Sequence, residues 1–271
     1  MQAVLARHRT ISALLLGLLV VLAWAWLLSG AGTGMMPSVA LWPHGNMAVG
    51  GMDAGSMAGM PMAPSAVSWN APQFITILAM WWIMMAAMML PSAAPMILLF
   101  ARASAQTPVQ PRRPATEAFL AGYLVTWGLF SGAATVLQWQ LGRLELVASS
   151  DMASTSRWLS AGVLLLAGAY QLTPLKDTCL SRCRNPAQFL SRHYRPGRLG
   201  ALRMGILHGA FCVGCCWLLM ALLFVGGVMN VAWIAALSAL VALEKLVPQG
   251  RLIAAGMGVA MIVGAFVIVL R

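Results

Sequence analysis

Long apolar stretches recur along this chain at the length that a lipid bilayer requires. A hydrocarbon core about 30 Å thick is crossed by roughly 20 apolar residues in helical form. Only 8% of the 271 residues are charged, whereas a soluble domain carries about 25%, so the chain has too few charges to cover a water-facing surface. The sequence therefore predicts an all-α, polytopic transmembrane helix bundle of about seven spans. The predicted spans are residues 11–28, 74–100, 118–141, 158–175, 204–228, 231–243 and 252–270.

The predicted organisation has three parts. Residues 1–30 form an N-terminal transmembrane helix or signal anchor, and its 18 apolar residues exceed the usual core of a cleaved signal peptide. Cleavage near residues 29–32 is the alternative. Residues 31–70 form an extracytoplasmic, Met-rich loop, and residues 71–271 form a six-helix transmembrane metal-binding domain. Within that domain Pro91 and Pro95 interrupt the second span and predict a kink.

The basic residues predict the orientation. The chain has 17 Lys and Arg against 6 Asp and Glu, and cytoplasmic loops of membrane proteins gather such residues. With the N-terminus inside, all of them except Arg143, Arg157 and Arg271 fall on the cytoplasmic side, seven of them in a long polar loop at 176–203. We therefore expect a multi-pass protein of a bacterial inner membrane, with a cytoplasmic N-terminus and lipid rather than nucleic acid around it.

The fifth span holds the most informative cluster of side chains. His208, Cys212 and Cys215 share one narrow helical stripe, with Cys216 beside it. Imidazole and thiolate on one face form a soft ligand set suited to Cu(I) or Zn(II). Packing alone is the competing interpretation, because buried cysteine behaves as a small apolar residue.

Methionines on the second span add soft donors at a similar depth. Met84 and Met88 fall on one helical stripe, and Met85 and Met89 fall on another. Thioethers select Cu(I) or Ag(I) over harder ions. Methionine is also a routine core residue, so the shared depth with the cysteines is what favours a metal site.

The predicted outer loop is rich in the same donors. Seven methionines lie among residues 29–70, where a water-exposed segment offers no core for them to fill. We take five residues of this loop as candidate ligands for Cu(I) or Ag(I): His44, Met47, Met57, Met60 and Met62.

The predicted inner loop begins with a second cysteine pair. Cys179 and Cys183 are four residues apart and would share a face if the segment were helical. The neighbouring Lys176, Arg182 and Arg184 would favour their thiolates. The pair could accept a soft metal or serve a structural role.

Other polar residues near the span ends have simpler interpretations. The adjacent Glu244 and Lys245 are interpreted as an interfacial ion pair. Gln138, Tyr170 and Gln171 lie within spans, where interhelical hydrogen bonding is the expected role.

Several of these stretches together resemble a family of bacterial multi-pass proteins described as predicted metal-binding integral membrane proteins, a domain of unknown function. The resemblance implies a metal but no established activity, and it covers about residues 74–255. The matching segments are 82–91, 170–176, 179–184, 204–217, 227–230 and 244–248.

The sequence thus favours a copper-binding membrane protein that acts in transport or delivery across the inner membrane, with Cu(I) as the bound species. A periplasmic or membrane copper protein would be its partner. One alternative is a thiol–disulfide or quinone oxidoreductase that uses the Cys212–Cys215 pair. Another is an assembly subunit of a membrane metalloenzyme. An enzymatic role is the less favoured interpretation.

Overall fold

The computed structural model describes residues 2–32, 69–105, 112–148 and 152–270. These residues form helices, with one isolated β-bridge between Val147 and Ser154. The all-α class is therefore confirmed. In chain order the helices are α1 Gln2–Leu28, α2 Ala71–Ala105, α3 Arg112–Arg143, α4 Arg157–Gln171, α5 Pro174–Arg184, α6 Pro186–His193, α7 Arg198–Ala221, α8 Leu223–Gly226, α9 Val231–Leu246 and α10 Gly250–Leu270.

Four of the described helical segments are long and apolar enough to cross a membrane. They are α2, α3, α7 together with α8, and α10. Helices α4 and α5 qualify as a fifth span only as a bent pair, with an angle of 66° between them. The count of about seven is not confirmed, because the apolar part of α1 covers only Ala13–Leu28 and α9 is 16 residues long.

The predicted loop at 176–203 is largely helical, and this corrects the sequence-based interpretation. Thr173 accepts a hydrogen bond from the Lys176 backbone N–H, and Pro174 occupies the first turn of α5; this is a common way for a helix to begin. Helices α5 and α6 each bury an apolar side chain, Leu180 and Phe189 respectively. Both helices are short and carry several charged residues, so the segment contains no long apolar run that would indicate their buried faces.

The centre of the bundle is formed where α7 packs against α3 and α5. At Gly205 a side chain would collide with the Phe119 backbone, and at Gly209 it would collide with Thr126. Small residues of this kind let membrane helices approach closely. The close approach places the buried face of α7 directly against residues of α3.

Helix α2 continues through both Pro91 and Pro95. Carbonyl groups in the turn before Pro91 receive side-chain hydrogen bonds from neighbouring residues. The Met88 carbonyl accepts one from Ser238, and the Met89 carbonyl accepts from Ser92 and Tyr123. These donors satisfy backbone carbonyl groups that lipid could not solvate.

Candidate metal centre

The four candidate residues of α7 are all buried in the bundle. His208 is 2% exposed, and Cys212, Cys215 and Cys216 are each 1% exposed. The thiols of Cys215 and Cys216 both donate to the Cys212 carbonyl, at 3.1 and 3.0 Å. Helix periodicity thus gathers three sulfur atoms within one turn of α7.

Helix α5 adds a fourth sulfur to this group. The Cys183 thiol lies close enough to those of Cys212 and Cys215 to interact electrostatically with both. Cys183 follows the buried Leu180 by three residues and so lies near the same face of α5. It remains partly exposed, whereas the α7 cysteines are buried, so Cys183 links the cluster to the exterior.

Cys179 lies beside this cluster, on the same side of α5. Its Sγ is 3.0 Å from the point where a side chain on Gly214 would place its Cβ. A larger residue at position 214 would require this sulfur to shift by a few tenths of an ångström. The sequence-based expectation that Cys179 and Cys183 share a helical face is therefore compatible with α5, and that face is turned toward α7.

Helix α2 brings a thioether to the thiol cluster. The Sδ of Met89 is 3.9 Å from the Cys216 Sγ and 4.0 Å from the Lys245 Nζ. Met84, Met85 and Met88 are fully buried on the same helix. Of the four candidate methionines on α2, Met89 is thus the one with a described contact to a thiol.

A buried lysine from α9 completes the surroundings of Cys212. The Lys245 Nζ donates to the Cys212 Sγ at 3.0 Å and to the Ser92 hydroxyl at 3.2 Å. The Tyr123 hydroxyl lies 3.1 Å from the same sulfur. A cation beside a cysteine favours the thiolate, which is the form that binds metals.

His208 lies in an aromatic enclosure next to the cysteines. Its ring centroid is 5.9 Å from that of Tyr123 and 5.3 Å from that of Phe189. The Nδ1 atom is buried and has no hydrogen-bond partner among the described residues. An unpaired buried nitrogen is costly, and it is chemically able to bind a soft ion.

We term Cys183, Cys212, Cys215, Cys216 and Met89 the sulfur cluster. All five cysteines of the chain are free thiols. Within the described ranges, no three His, Cys, Asp or Glu side chains converge as a group that could already hold a metal ion. The sulfur cluster therefore contains suitable donor atoms, but among the described residues they are not arranged as a preformed coordination shell.

Lys176 and Arg184 contact groups other than Cys179 and Cys183, whereas Arg182 interacts electrostatically with Cys179 as the sequence predicts. Lys176 is fully buried and bonds Glu244 at 2.6 Å. Arg184 donates to the Val247 and Pro248 carbonyls. Arg182 lies over the Phe211 ring. Lys245, from a different helix, is the cation that contacts a cysteine.

Glu244 and Lys245 are not an ion pair with each other. Successive residues on a helix point about 100° apart, and the two side chains reach different partners. Glu244 bonds Lys176 and Gln171, while Lys245 reaches Cys212. The signal that could have separated them is this helical rotation at the end of an apolar span.

The polar side chains that lie within the predicted spans make interhelical hydrogen bonds, as expected. Gln138 accepts from the Trp81 indole at 2.6 Å. The Tyr170 hydroxyl donates to the Gly214 carbonyl. The Gln171 amide donates to Glu244 at 2.8 Å.

The candidate ligands of the Met-rich segment, namely His44, Met47, Met57, Met60 and Met62, lie outside the described residues. Their proposed role stays a prediction.

The fold and site define a class: a helical protein with membrane-length segments and a buried group of thiols around a thioether and a lysine. A family model described as PpoB2, copper chaperone, matches residues 78–268. The match covers well over half of the chain, and the protein belongs to this family. The family supports a copper-related function, although its description differs from the metal-binding membrane family that the sequence resembles. Searches of curated proteins and of solved structures found no match.

Proposed function

We propose that the protein is a membrane copper chaperone that holds Cu(I) in the sulfur cluster and passes it to a copper protein. The proposal rests on the close approach of Cys183 on α5 to Cys212 and Cys215 on α7, beside the Met89 thioether of α2. Residues from three separate helices would then share one soft ion. The family match supports copper as the cargo.

Ligand chemistry favours the cuprous ion. Thiolates and thioethers are soft donors that select Cu(I). Two thiolates around Cu(I) carry a net charge of −1, and the Lys245 ammonium beside Cys212 would bring the group to neutrality. Neutrality matters because isolated charges are costly in a low-dielectric interior. His208, with its unpaired Nδ1, is a further donor next to the cluster.

The proposed path of the ion crosses the bundle. The Met-rich segment at residues 31–70 would capture Cu(I) outside, the sulfur cluster would hold it, and Cys183 would be the exchange point with the cytoplasmic side. The reverse direction uses the same residues. An impermeant thiol reagent added to intact cells should leave Cys179 unlabelled, whereas labelling from outside contradicts this orientation.

The experiment is an anaerobic Cu(I) titration of the full chain in detergent against a competing chelator. Wild-type protein should bind Cu(I) in preference to Zn(II), and Cys212→Ser with Cys215→Ser should abolish the tight site. The control is Ser160→Ala, which alters a buried residue of α4 outside the sulfur cluster and should leave the affinity unchanged. Equal affinity in wild type and the cysteine variant contradicts the proposal.

A thiol–disulfide oxidoreductase is the second candidate, because the contact between Cys183 and the α7 thiols would also suit disulfide formation. Such an enzyme needs the two reacting cysteines and an electron acceptor such as a quinone. His208 is then dispensable. Normal copper content in His208→Ala together with quinone-dependent thiol oxidation would favour this enzyme over the chaperone.

A further inference from the structure

A cavity of about 120 Å³ lies between the end of α6 and the first turns of α7. Its lining includes three arginines, Arg192, Arg195 and Arg203, together with His193. A single water needs only about 10–15 Å³ of such space, so the cavity has room for a group of several heavy atoms.

The charge of this cavity is uncompensated within the described structure. The described ion pairs are Lys176 with Glu244 and Arg251 with Asp177, and neither includes an arginine of the cavity. No acidic residue is among the lining residues. Guanidinium groups match phosphate oxygens in geometry as well as in charge.

The backbone holds part of this cavity in place. Gly197 has a φ of 92°, a conformation that glycine adopts without strain. At Gly200 a side chain would collide with the Arg195 backbone. The turn between α6 and α7 is therefore folded tightly, and it keeps Arg195 close to the start of α7.

The position of the cavity distinguishes a lipid from a soluble anion. The membrane-length segment of α7 and α8 begins at Arg198. In sequence this residue lies between Arg195 and Gly200, which both line the cavity. Arg203 shares a helical face with Leu199 and Ile206, four residues before it and three after it. Leu199 is 82% exposed and Ile206 is 42% exposed, so apolar surface extends along the helix from the basic group.

We propose that this cavity binds the phosphate group of an anionic phospholipid, with the acyl chains lying along the exposed apolar face of α7. The arginines would bind the phosphate ester, and the exposed apolar side chains of Leu199 and Ile206 favour a lipid over free phosphate. Basic pockets beside transmembrane helices recognise anionic headgroups in this way. The role is separate from copper binding and does not depend on it.

The test uses the full chain purified in an uncharged detergent, with binding followed by native mass spectrometry. The probes are short-chain phosphatidylglycerol, short-chain phosphatidylcholine and inorganic phosphate. We expect phosphatidylglycerol to bind at least tenfold more tightly than either of the others. Arg195→Gln with Arg203→Gln should weaken it about 30-fold, at roughly fivefold for each arginine near a membrane surface.

The matched control is Arg143→Gln with Arg157→Gln, which removes the same charge from two exposed arginines of other helices. It should leave binding unchanged. Equal loss in both double variants, or equal binding of the two lipids, overturns the proposal. Inorganic phosphate binding as tightly as phosphatidylglycerol overturns the lipid assignment. If the double variant fails to fold, lipid selectivity of the wild-type chain decides the matter.

Discussion

Two lysines are buried in the bundle, and they have different partners. Lys176 bonds the Glu244 carboxylate at 2.6 Å and also donates to Gln171. Lys245 contacts a thiol, a hydroxyl and a thioether, and its described hydrogen bonds include no carboxylate. One ammonium therefore has a permanent counter-charge, whereas the other depends on the state of Cys212.

This difference separates a structural group from a functional one. The Lys176 group joins α4, α5 and α9, and each of its polar side chains has a described partner. Such a network holds helices together. Lys245 instead faces the Cys212 thiol, which becomes a charged thiolate ligand when a metal binds. We therefore propose the copper-binding role for the second group.

The largest expected effect is the loss of stability when the first group is broken. Lys176→Met leaves Glu244 buried without a counter-charge, which typically costs about 3–5 kcal/mol. We expect a fall of this size in the free energy of unfolding, measured by denaturant titration in detergent. Copper bound per folded molecule should stay unchanged.

A double variant sharpens this result. Lys176→Met combined with Glu244→Gln removes both charges and should recover most of the lost stability, because no unpaired ion remains. If the single and double variants are equally unstable, the ion pair is not what holds the three helices.

The same type of substitution at Lys245 should affect copper instead. Lys245→Met removes the charge that balances a thiolate-bound Cu(I), and a hydrogen bond to a charged group contributes about 1.5–3 kcal/mol. Cu(I) affinity should therefore fall roughly 10-fold to 150-fold, with less loss of stability than in Lys176→Met. Lys245→Arg keeps the charge and should bind within a few-fold of wild type. Unchanged affinity in Lys245→Met would remove the contrast between the two lysines.

The smallest expected effect concerns the thioether. Met89→Leu nearly conserves volume, so the stability cost should stay below about 1.5 kcal/mol. Cu(I) affinity should fall several-fold in a chelator competition. Met80→Leu is the control, because Met80 is equally buried on α2 but lies nine residues from Met89. Equal effects of both substitutions on affinity would exclude a specific role for Met89.

The sequence predicted the long helices well because apolar length is a local property. The span expected at 252–270 is observed as the membrane-length helix Gly250–Leu270. Residues 231–243 lie in the helix Val231–Leu246, which at 16 residues does not count as a span. The segment at 176–203 was interpreted wrongly as a loop. Its helices are short and charged, and their burial depends on contacts with α7 that no local pattern shows.

The candidate site was predictable only within single helices. Helical periodicity placed His208, Cys212 and Cys215 on one face of α7, where all three are buried. The contact between Cys183 and Cys212 joins α5 to α7, and the contact between Lys245 and Cys212 joins α9 to α7. Such pairings are set by tertiary packing, which spacing along the chain does not determine.

We propose that copper is bound by the sulfur cluster beside Lys245. X-ray absorption at the copper edge, on the full chain loaded with Cu(I) under anaerobic conditions, tests it directly. We expect a cuprous ion with at least two sulfur neighbours, which are lost in Cys212→Ser with Cys215→Ser. A coordination shell of nitrogen and oxygen alone, or a sulfur shell that persists in this variant, would contradict it.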